Sequence, residues 1–401
     1  MKKIRRITAM LAAGAVMLSC ISFTGSVSAA EENKAEAKTA QTETAQTMPV
    51  EVKAKSAVLM DVTTGKVLMA KNENERLPPA SVTKIMTLLL VCEAIDSGEL
   101  SLTEKLTASK DAVSKGGSQI WLKEGESMTV DELLKAAAIA SANDACAVLA
   151  ERIAGSEEGF VTMMNERAKA LGMKNTNFEN CTGLDDTTTN HYTSAYDIAI
   201  MGRELLKHDV IQNYTTVWMD SLRDGKTELV NTNKLVRFYK GTTGLKTGTT
   251  QKAGHCLAAS AQRDSLHLIA VVLGCESSDD RFNGAKAMLN WGFSNWVSYK
   301  PEISKDLITD VNVLHGIKSS ITPEIPETSG TIIKKGAQGD VKQEINIPVD
   351  VEAPVEKGQV IGTVTFTLGD EKIGEYNLTA GEAIKKIGFL DALAMLLRGA
   401  A

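Results

Sequence analysis

Strand-like runs stand at two places far apart in this chain, and a long helical stretch lies between them. Ser56-Ala57-Val58-Leu59-Met60-Asp61 and Gly65-Lys66-Val67-Leu68-Met69-Ala70 surround Thr63-Thr64-Gly65 in a hairpin pattern. The same character returns at Cys256 to Gln262 and Leu266 to Cys275, joined by Arg263-Asp264-Ser265. After Pro78-Pro79 halts regular structure, apolar periodicity predicts a helix from Ser81 to about Ile95, apolar on nearly every side and therefore buried. Helical patterns follow from Val130 to Ile153 and from Gly159 to Leu171, with an irregular segment through Asn180 to Thr193. Sheet pieces at both ends of a helical region predict one α/β domain, residues 54–298, whose N- and C-terminal strands share a sheet.

The segments outside this domain have different characters. Lys2, Lys3, Arg5 and Arg6 precede an apolar stretch from Ile7 to Phe23 and the small residues Ser26-Val27-Ser28-Ala29-Ala30, the pattern of a secretory signal peptide over residues 1–30. An uncleaved anchor is the alternative. Residues 31–53, polar and rich in Ala, Thr, Gln and Glu, read as a flexible spacer. From about Glu302, alternating runs such as Val341 to Val351 and Val360 to Leu368 predict a small all-β domain over residues 302–380. Residues 381–401 carry Ile384, Ile387, Phe389, Leu390, Leu393, Met395, Leu396 and Leu397 beside Lys385, Lys386 and Arg398. This predicts an amphipathic helix too short and too charged to span a bilayer. It is suited to a membrane interface or to docking on the β domain.

Composition excludes some functions. A net charge of −6 without a large central basic block argues against a nucleic-acid partner. The cysteines beyond the leader, Cys92, Cys146, Cys181, Cys256 and Cys275, are odd in number and irregularly spaced, so they are no disulfide framework. No CxxC pair and only five scattered histidines leave a metal site without support, and the chemistry described next needs no metal or organic cofactor.

Three short patterns carry that chemistry: Ser81-Val82-Thr83-Lys84 at a helix start, Ser141-Ala142-Asn143, and Lys246-Thr247-Gly248 beside a strand. Ser81 and Lys84 are three apart, so their side chains share one helix face. A neutral lysine one turn away can serve a serine nucleophile as base. Freeing that amine at neutral pH costs about 4–5 kcal/mol from the reference value. Desolvation or a nearby cation must lower the cost, and Lys246 is the candidate cation. The helix start also offers unpaired N–H groups for an oxyanion. Each pattern alone has a plain reading: a capping serine with a surface lysine, a helix break capped by Asn143 or Asp144, a turn whose Gly248 supplies backbone freedom. In this order and together they form a joint signal.

On these residues the chain resembles the low-molecular-weight penicillin-binding proteins, specifically the serine-type D-alanyl-D-alanine carboxypeptidases. Pro79-Ala80-Ser81-Val82-Thr83-Lys84-Ile85-Met86-Thr87, Met164-Asn165, Leu171-Gly172-Met173, His191-Tyr192-Thr193-Ser194-Ala195-Tyr196-Asp197, Asn231-Thr232-Asn233 and Trp291-Gly292-Phe293 extend the likeness over residues 54–298. The resemblance implies an α/β penicillin-binding fold, an antiparallel sheet flanked by helices with a helical subdomain, then a small β domain and a terminal amphipathic helix. It implies Ser81 as acylated nucleophile, Lys84 as its base and Ser141 as proton relay. Asn143 would hold the substrate's peptide. Lys246 and Thr247 would face the terminal carboxylate, and the N–H groups of Ser81 and Thr249, beyond Gly248, would form the oxyanion hole. Arg281 stands where the family places another carboxylate-binding cation, with a surface salt bridge as competitor; His191 and Asp197 read as structural. Many relatives have histidine at the position of Thr249.

The implied substrates are peptidoglycan stem peptides ending in D-Ala-D-Ala, and the implied inhibitors are β-lactams. The implied location is the outer face of the cytoplasmic membrane or the cell wall. Three rivals stand beside this reading: a peptidoglycan endopeptidase, a class A-like β-lactamase, and a non-catalytic binding module. A Glu-x-x-Leu-Asn segment, the deacylation signature of the β-lactamase, is absent from the sequence.

Overall fold

The computed structural model describes residues 49–393. The expected signal peptide, most of the spacer and the end of the terminal helix lie outside them. Strands β1 (Ser56–Asp61) and β2 (Val67–Lys71) form the first hairpin, and helix α1 (Lys84–Asp96) follows a short 3-10 turn at Ala80–Thr83. A side hairpin of β3 (Lys105–Thr107) and β4 (Ser127–Thr129) encloses the one-turn α2 (Lys110–Val113). Helices α3 (Val130–Ile139), α4 (Asn143–Ala154), α5 (Glu157–Ala170), α6 (Ala195–Leu205) and α7 (Asp209–Thr215) complete most of the helical part. A second hairpin, β5 (Met219–Leu222) and β6 (Thr227–Val230), and the one-turn α8 (Leu235–Phe238) lead to β7 (Thr242–Thr250), β8 (Gly254–Arg263) and β9 (Leu266–Cys275), then α9 (Ser278–Asn295).

The expected shared sheet forms in the order β2-β1-β9-β8-β7, antiparallel throughout. Its inner strands are apolar on both faces because both are covered. Val58, Met60, Ile269 and Val271 join the core beneath α1 and α6, while Ala57, Leu59, Leu268 and Ala270 join the core beneath α9. Helix α1 is buried on nearly every side, as its unbroken apolar content requires.

Three expectations are corrected. The helix drawn from Val130 to Ile153 is two helices, because the chain turns at Ser141 with a φ of +63°. A Thr129–Glu132 capping box starts the first, and left-handed Gly155 ends the second. The spacer ends before residue 53: Val52 is buried in the core beneath α9, and its carbonyl accepts from Lys71 Nζ at 3.2 Å. Finally, residues 381–388 are not helical. Ile384 bridges Val355 and Lys386 bridges Gly316, and helical residues begin at 389. Buried Ile384 belongs to the β-domain core, so packing overrides the helical periodicity there.

The C-terminal part contains β10 (Trp296–Tyr299), β11 (Val311–Leu314), β12 (Ser320–Ile321), β13 (Pro323–Glu324), β14 (Thr331–Lys334), β15 (Val341–Asn346), β16 (Asp350–Glu352), β17 (Val360–Leu368) and β18 (Glu371–Ala380). They pair as β12-β11-β16 and β13-β18-β17-β15, with small cores around Val311 and Val364. β10, which continues directly from α9, pairs with β14, and Lys66 Nζ meets Glu371 at 2.7 Å. Among the described residues no helix is long and apolar enough to cross a membrane.

Candidate active site

Ser81 sits in the 3-10 turn and Lys84 opens α1, so the two side chains meet on one face: Lys84 Nζ lies 3.1 Å from Ser81 Oγ. The lysine is completely buried and also donates to the Thr182 carbonyl at 2.7 Å. A neutral amine can make both contacts, giving one N–H to Thr182 and its lone pair to the serine hydroxyl. The backbone at Ser81 is fixed on two sides by residues without side chains. Ala80 carries a φ of +50°, and a Cβ on Gly183 would stand 1.9 Å from its carbonyl oxygen. A Cβ on Gly248 would stand 2.7 Å from Pro79 O and 3.1 Å from Ser81 N. Glycine at both positions is what lets the loop and β7 approach Ser81 this closely.

The other two patterns also carry buried polar side chains. Ser141, in its left-handed turn, is 4% exposed, and its Oγ has no protein partner. Asn143 donates through Nδ2 to Gly116 O at 2.6 Å, which leaves its buried Oδ1 without a partner. Buried polar atoms are almost always hydrogen-bonded, so these two unpartnered oxygens stand out as candidate ligand contacts. The Lys246-Thr247-Gly248 pattern lies within the edge strand β7 rather than beside it, and both polar side chains are buried. Thr247 Oγ1 donates to Thr232 Oγ1 at 2.7 Å.

Burial lowers the pKa of both Lys84 and Lys246, the latter strongly, with Lys84 and Arg281 adding repulsion there. Cys146, Cys181 and Asp144 act in the opposite sense on Lys84 without reversing the direction. Two cations in one dry site oppose each other, so the pair holds one proton far more readily than two.

Arg281 is buried rather than set in a surface salt bridge. It has no ion pair among the described residues; its Nη1 donates to Gly248 O at 3.0 Å and Thr249 Oγ1 at 2.9 Å. It thus grips the strand that carries Lys246. Thr249 is exposed, and its Oγ1 lies 3.4 Å from His255 Nδ1 across the β7–β8 pair. His191 accepts from Glu179 N at Nδ1, and its Nε2 reaches Thr83 Oγ1 at 2.9 Å. Burial pushes its pKa down to about 4, so it is a neutral brace. Asp197 accepts from Asn175 N and Thr176 Oγ1 at the start of α6.

Three contributors were not singled out in the sequence. Thr182 offers only a backbone carbonyl, which no residue type signals. Thr232 belonged to a noted Asn-Thr-Asn run; Asn231 and Asn233 on either side hold that run through Val217 O at 2.8 Å and Gly244 O at 3.0 Å. Glu157 is the third. It pairs with Lys115 at 2.5 Å and accepts from Cys181 N at 3.0 Å and Cys181 Sγ at 3.1 Å. Burial pushes its pKa up, but Lys115 and Cys181 outweigh that and hold it below the usual carboxylate value. Glu157 therefore ties down the segment whose next carbonyl meets Lys84. All five described cysteines are free and buried, with thiol pKa values raised by burial. Among the described residues no cluster of His, Cys, Asp and Glu is arranged to hold a metal.

Comparison with known proteins gives the family and the fold. Residues 39–277 match the D-alanyl-D-alanine carboxypeptidase family, and residues 300–386 match the penicillin-binding protein 5 C-terminal domain. The chain is 46% identical to the D-alanyl-D-alanine carboxypeptidase DacF of Bacillus subtilis over 85% of its own length and 88% of the relative's. Penicillin-binding protein 5 from Haemophilus influenzae superposes with a TM-score of 0.74 at 32% identity, over 85% of this chain and all of that one (100%). Penicillin-binding protein D2 from Listeria monocytogenes, solved in the ampicillin-bound form, superposes at 0.56 with 30% identity, over 61% of this chain and 98% of that one.

Proposed function

The chain belongs to the D-alanyl-D-alanine carboxypeptidase family, and we propose that it carries out that hydrolysis with Ser81 as nucleophile and Lys84 as base. It is a serine peptidase of the penicillin-binding type. The observation that carries the assignment of roles is the buried Lys84 amine, 3.1 Å from Ser81 Oγ and oriented by the Thr182 carbonyl. A substrate carboxylate against Lys246 draws the pair's one proton there, and neutral Lys84 takes the hydroxyl proton as Oγ attacks the penultimate D-alanine carbonyl. The N–H groups of Ser81 and Thr249 receive the oxyanion. Ser141 passes the proton to the leaving amine, free D-alanine departs, and water then cleaves the acyl ester. Asn143 Oδ1 accepts the substrate's peptide N–H, while Lys246, Thr247 and Thr232 bind the terminal carboxylate. Arg281 holds Gly248 and Thr249 in place from behind the strand.

The substrates are peptidoglycan stem peptides ending in D-Ala-D-Ala, and β-lactams acylate Ser81 as substrate mimics. Residues 1–30 export the chain, and the terminal helix holds it at the outer face of the cytoplasmic membrane. Phe389, Leu390 and Leu393, exposed at that helix's described beginning next to Lys385 and Lys386, support such a surface contact. The test is release of free D-alanine from a peptide ending in D-Ala-D-Ala, with labelled penicillin as a second readout. Wild-type protein should do both and Ser81→Ala neither. Labelling without release would move the substrate to cross-linked peptides, and neither would end the enzymatic reading.

A further inference from the structure

Trp121 is 75% exposed, yet its backbone is held with unusual care. Its φ is +57°, a left-handed conformation that bulky side chains rarely adopt. The flanking residues Ile120 and Leu122 are buried, and their N–H groups donate to the two oxygens of the buried Asp144 carboxylate at 3.2 and 3.0 Å. Arg223 Nη1 caps Ile120 O at 3.0 Å, and its Nε meets Glu126 at 2.7 Å. Every neighbouring anchor points inward and the indole points out. Strain of this kind persists only where the surroundings enforce it, and it gathers at functional sites.

The indole borders a cleft of about 670 Å3 between residues 120–126 and the β5–β6 turn, lined also by Lys123, Glu124, Arg223, Lys226 and Thr227. Basic and acidic side chains both line it, which does not favour a polyanion. Arg223 Nη2 is buried there without a protein partner. An exposed indole beside hydrogen-bonding side chains suits a pyranose ring, which has an apolar C–H face and an edge of hydroxyl and amide groups.

The cleft is also within reach of the reaction. Asn143 N donates to Ser118 O at 2.7 Å, and Trp121 is three residues beyond Ser118, hence within about 11 Å of it. An extended five-residue peptide spans roughly 17 Å. With Asn143 holding the substrate's peptide as proposed above, a stem peptide can extend its amino end, and the sugar on it, toward this cleft. We infer that Trp121 and this cleft form a subsite for the N-acetylated sugar of the substrate's glycan, an inference that rests on the carboxypeptidase reading.

Two measurements test it. Ligand-observed saturation-transfer NMR with a peptide-free N-acetylglucosamine–N-acetylmuramic acid disaccharide should show transfer from wild-type protein and none from Trp121→Ala. Because it needs no turnover, it decides the sugar site even if hydrolysis fails. Second, kcat/KM for a disaccharide pentapeptide relative to the sugar-free pentapeptide should fall about tenfold in Trp121→Ala and little in Trp121→Phe. An unchanged ratio, an equal loss on both substrates, or a switch from dimer to monomer on sedimentation of Trp121→Ala would each overturn the inference, the last by making this face a contact between copies.

Discussion

Replacing Glu157 by alanine tests whether the carbonyl that orients Lys84 is itself held from a distance. The change removes the Lys115 ion pair, whose side chains are 24% and 19% exposed, and the acceptor for the Cys181 N–H and S–H. A partly exposed pair contributes about 1 kcal/mol or less. A buried backbone N–H left without an acceptor costs about 1–3 kcal/mol. Unfolding free energy should therefore drop by about 1–4 kcal/mol in a denaturant titration. The kinetic effect follows from position: Thr182 is the next residue, and a shift of about 1 Å at a reacting group costs on the order of 100-fold. Acylation by labelled penicillin should slow roughly 10- to 100-fold. Glu157→Gln keeps an acceptor and should stay within a few-fold of wild type. The pH dependence has a definite sign. Glu157 is held below its usual pKa, so its stabilisation is present above the unfolded value and lost as pH falls through the lower folded one. Glu157→Gln should lack that acid dependence. An alanine variant that loses the expected stability but acylates at the wild-type rate would refute the link between Glu157 and Lys84.

Two further predictions concern buried bases. Lys246 has a depressed pKa, so at neutral pH the unfolded chain binds a proton that the folded site resists, and stability rises with pH toward the unfolded value. Lys246→Met should thus raise the melting temperature at pH 7 while abolishing D-alanine release, and a lower melting temperature would contradict the sign. His191 falls from 6.5 to about 4, so about 3 kcal/mol of stability should disappear as pH drops from 6.5 to 4. Chemical unfolding of His191→Gln across that window should show a shallower decline than wild type.

Much of this site was readable because its chemistry is local. Ser81 and Lys84 meet through helix spacing, and the two strand pairs declared the sheet by their apolar runs. What the chain concealed depends on partners distant in sequence. Thr182 acts through a carbonyl, and Glu157 is one acidic residue among many in a helix first turn. The turn at Ser141 was legible only as one reading, a helix break at Ser141-Ala142-Asn143, because Ala136 to Ala147 looks helical residue by residue; its left-handed backbone was not signalled. The start of the terminal helix was misplaced for a related reason, since Ile384 is pulled into a β core that its own periodicity does not announce.

The bare backbone contacts at Gly183 and Gly248 also bear on evolution under antibiotic pressure. An enzyme escapes a covalent inhibitor most simply by moving its nucleophile slightly, so that the drug fits worse than the substrate. Here Pro79, Ala80 and Ser81 rest against two residues whose Cβ atoms would collide with main chain, at 1.9 Å from Ala80 O and 2.7 Å from Pro79 O. No side chain at either contact can be trimmed or exchanged to shift Ser81 by a fraction of an ångström. With Ser81 in its proposed role, substitution at either glycine should slow acylation by drug and by substrate together, leaving variation to the rim of the cleft.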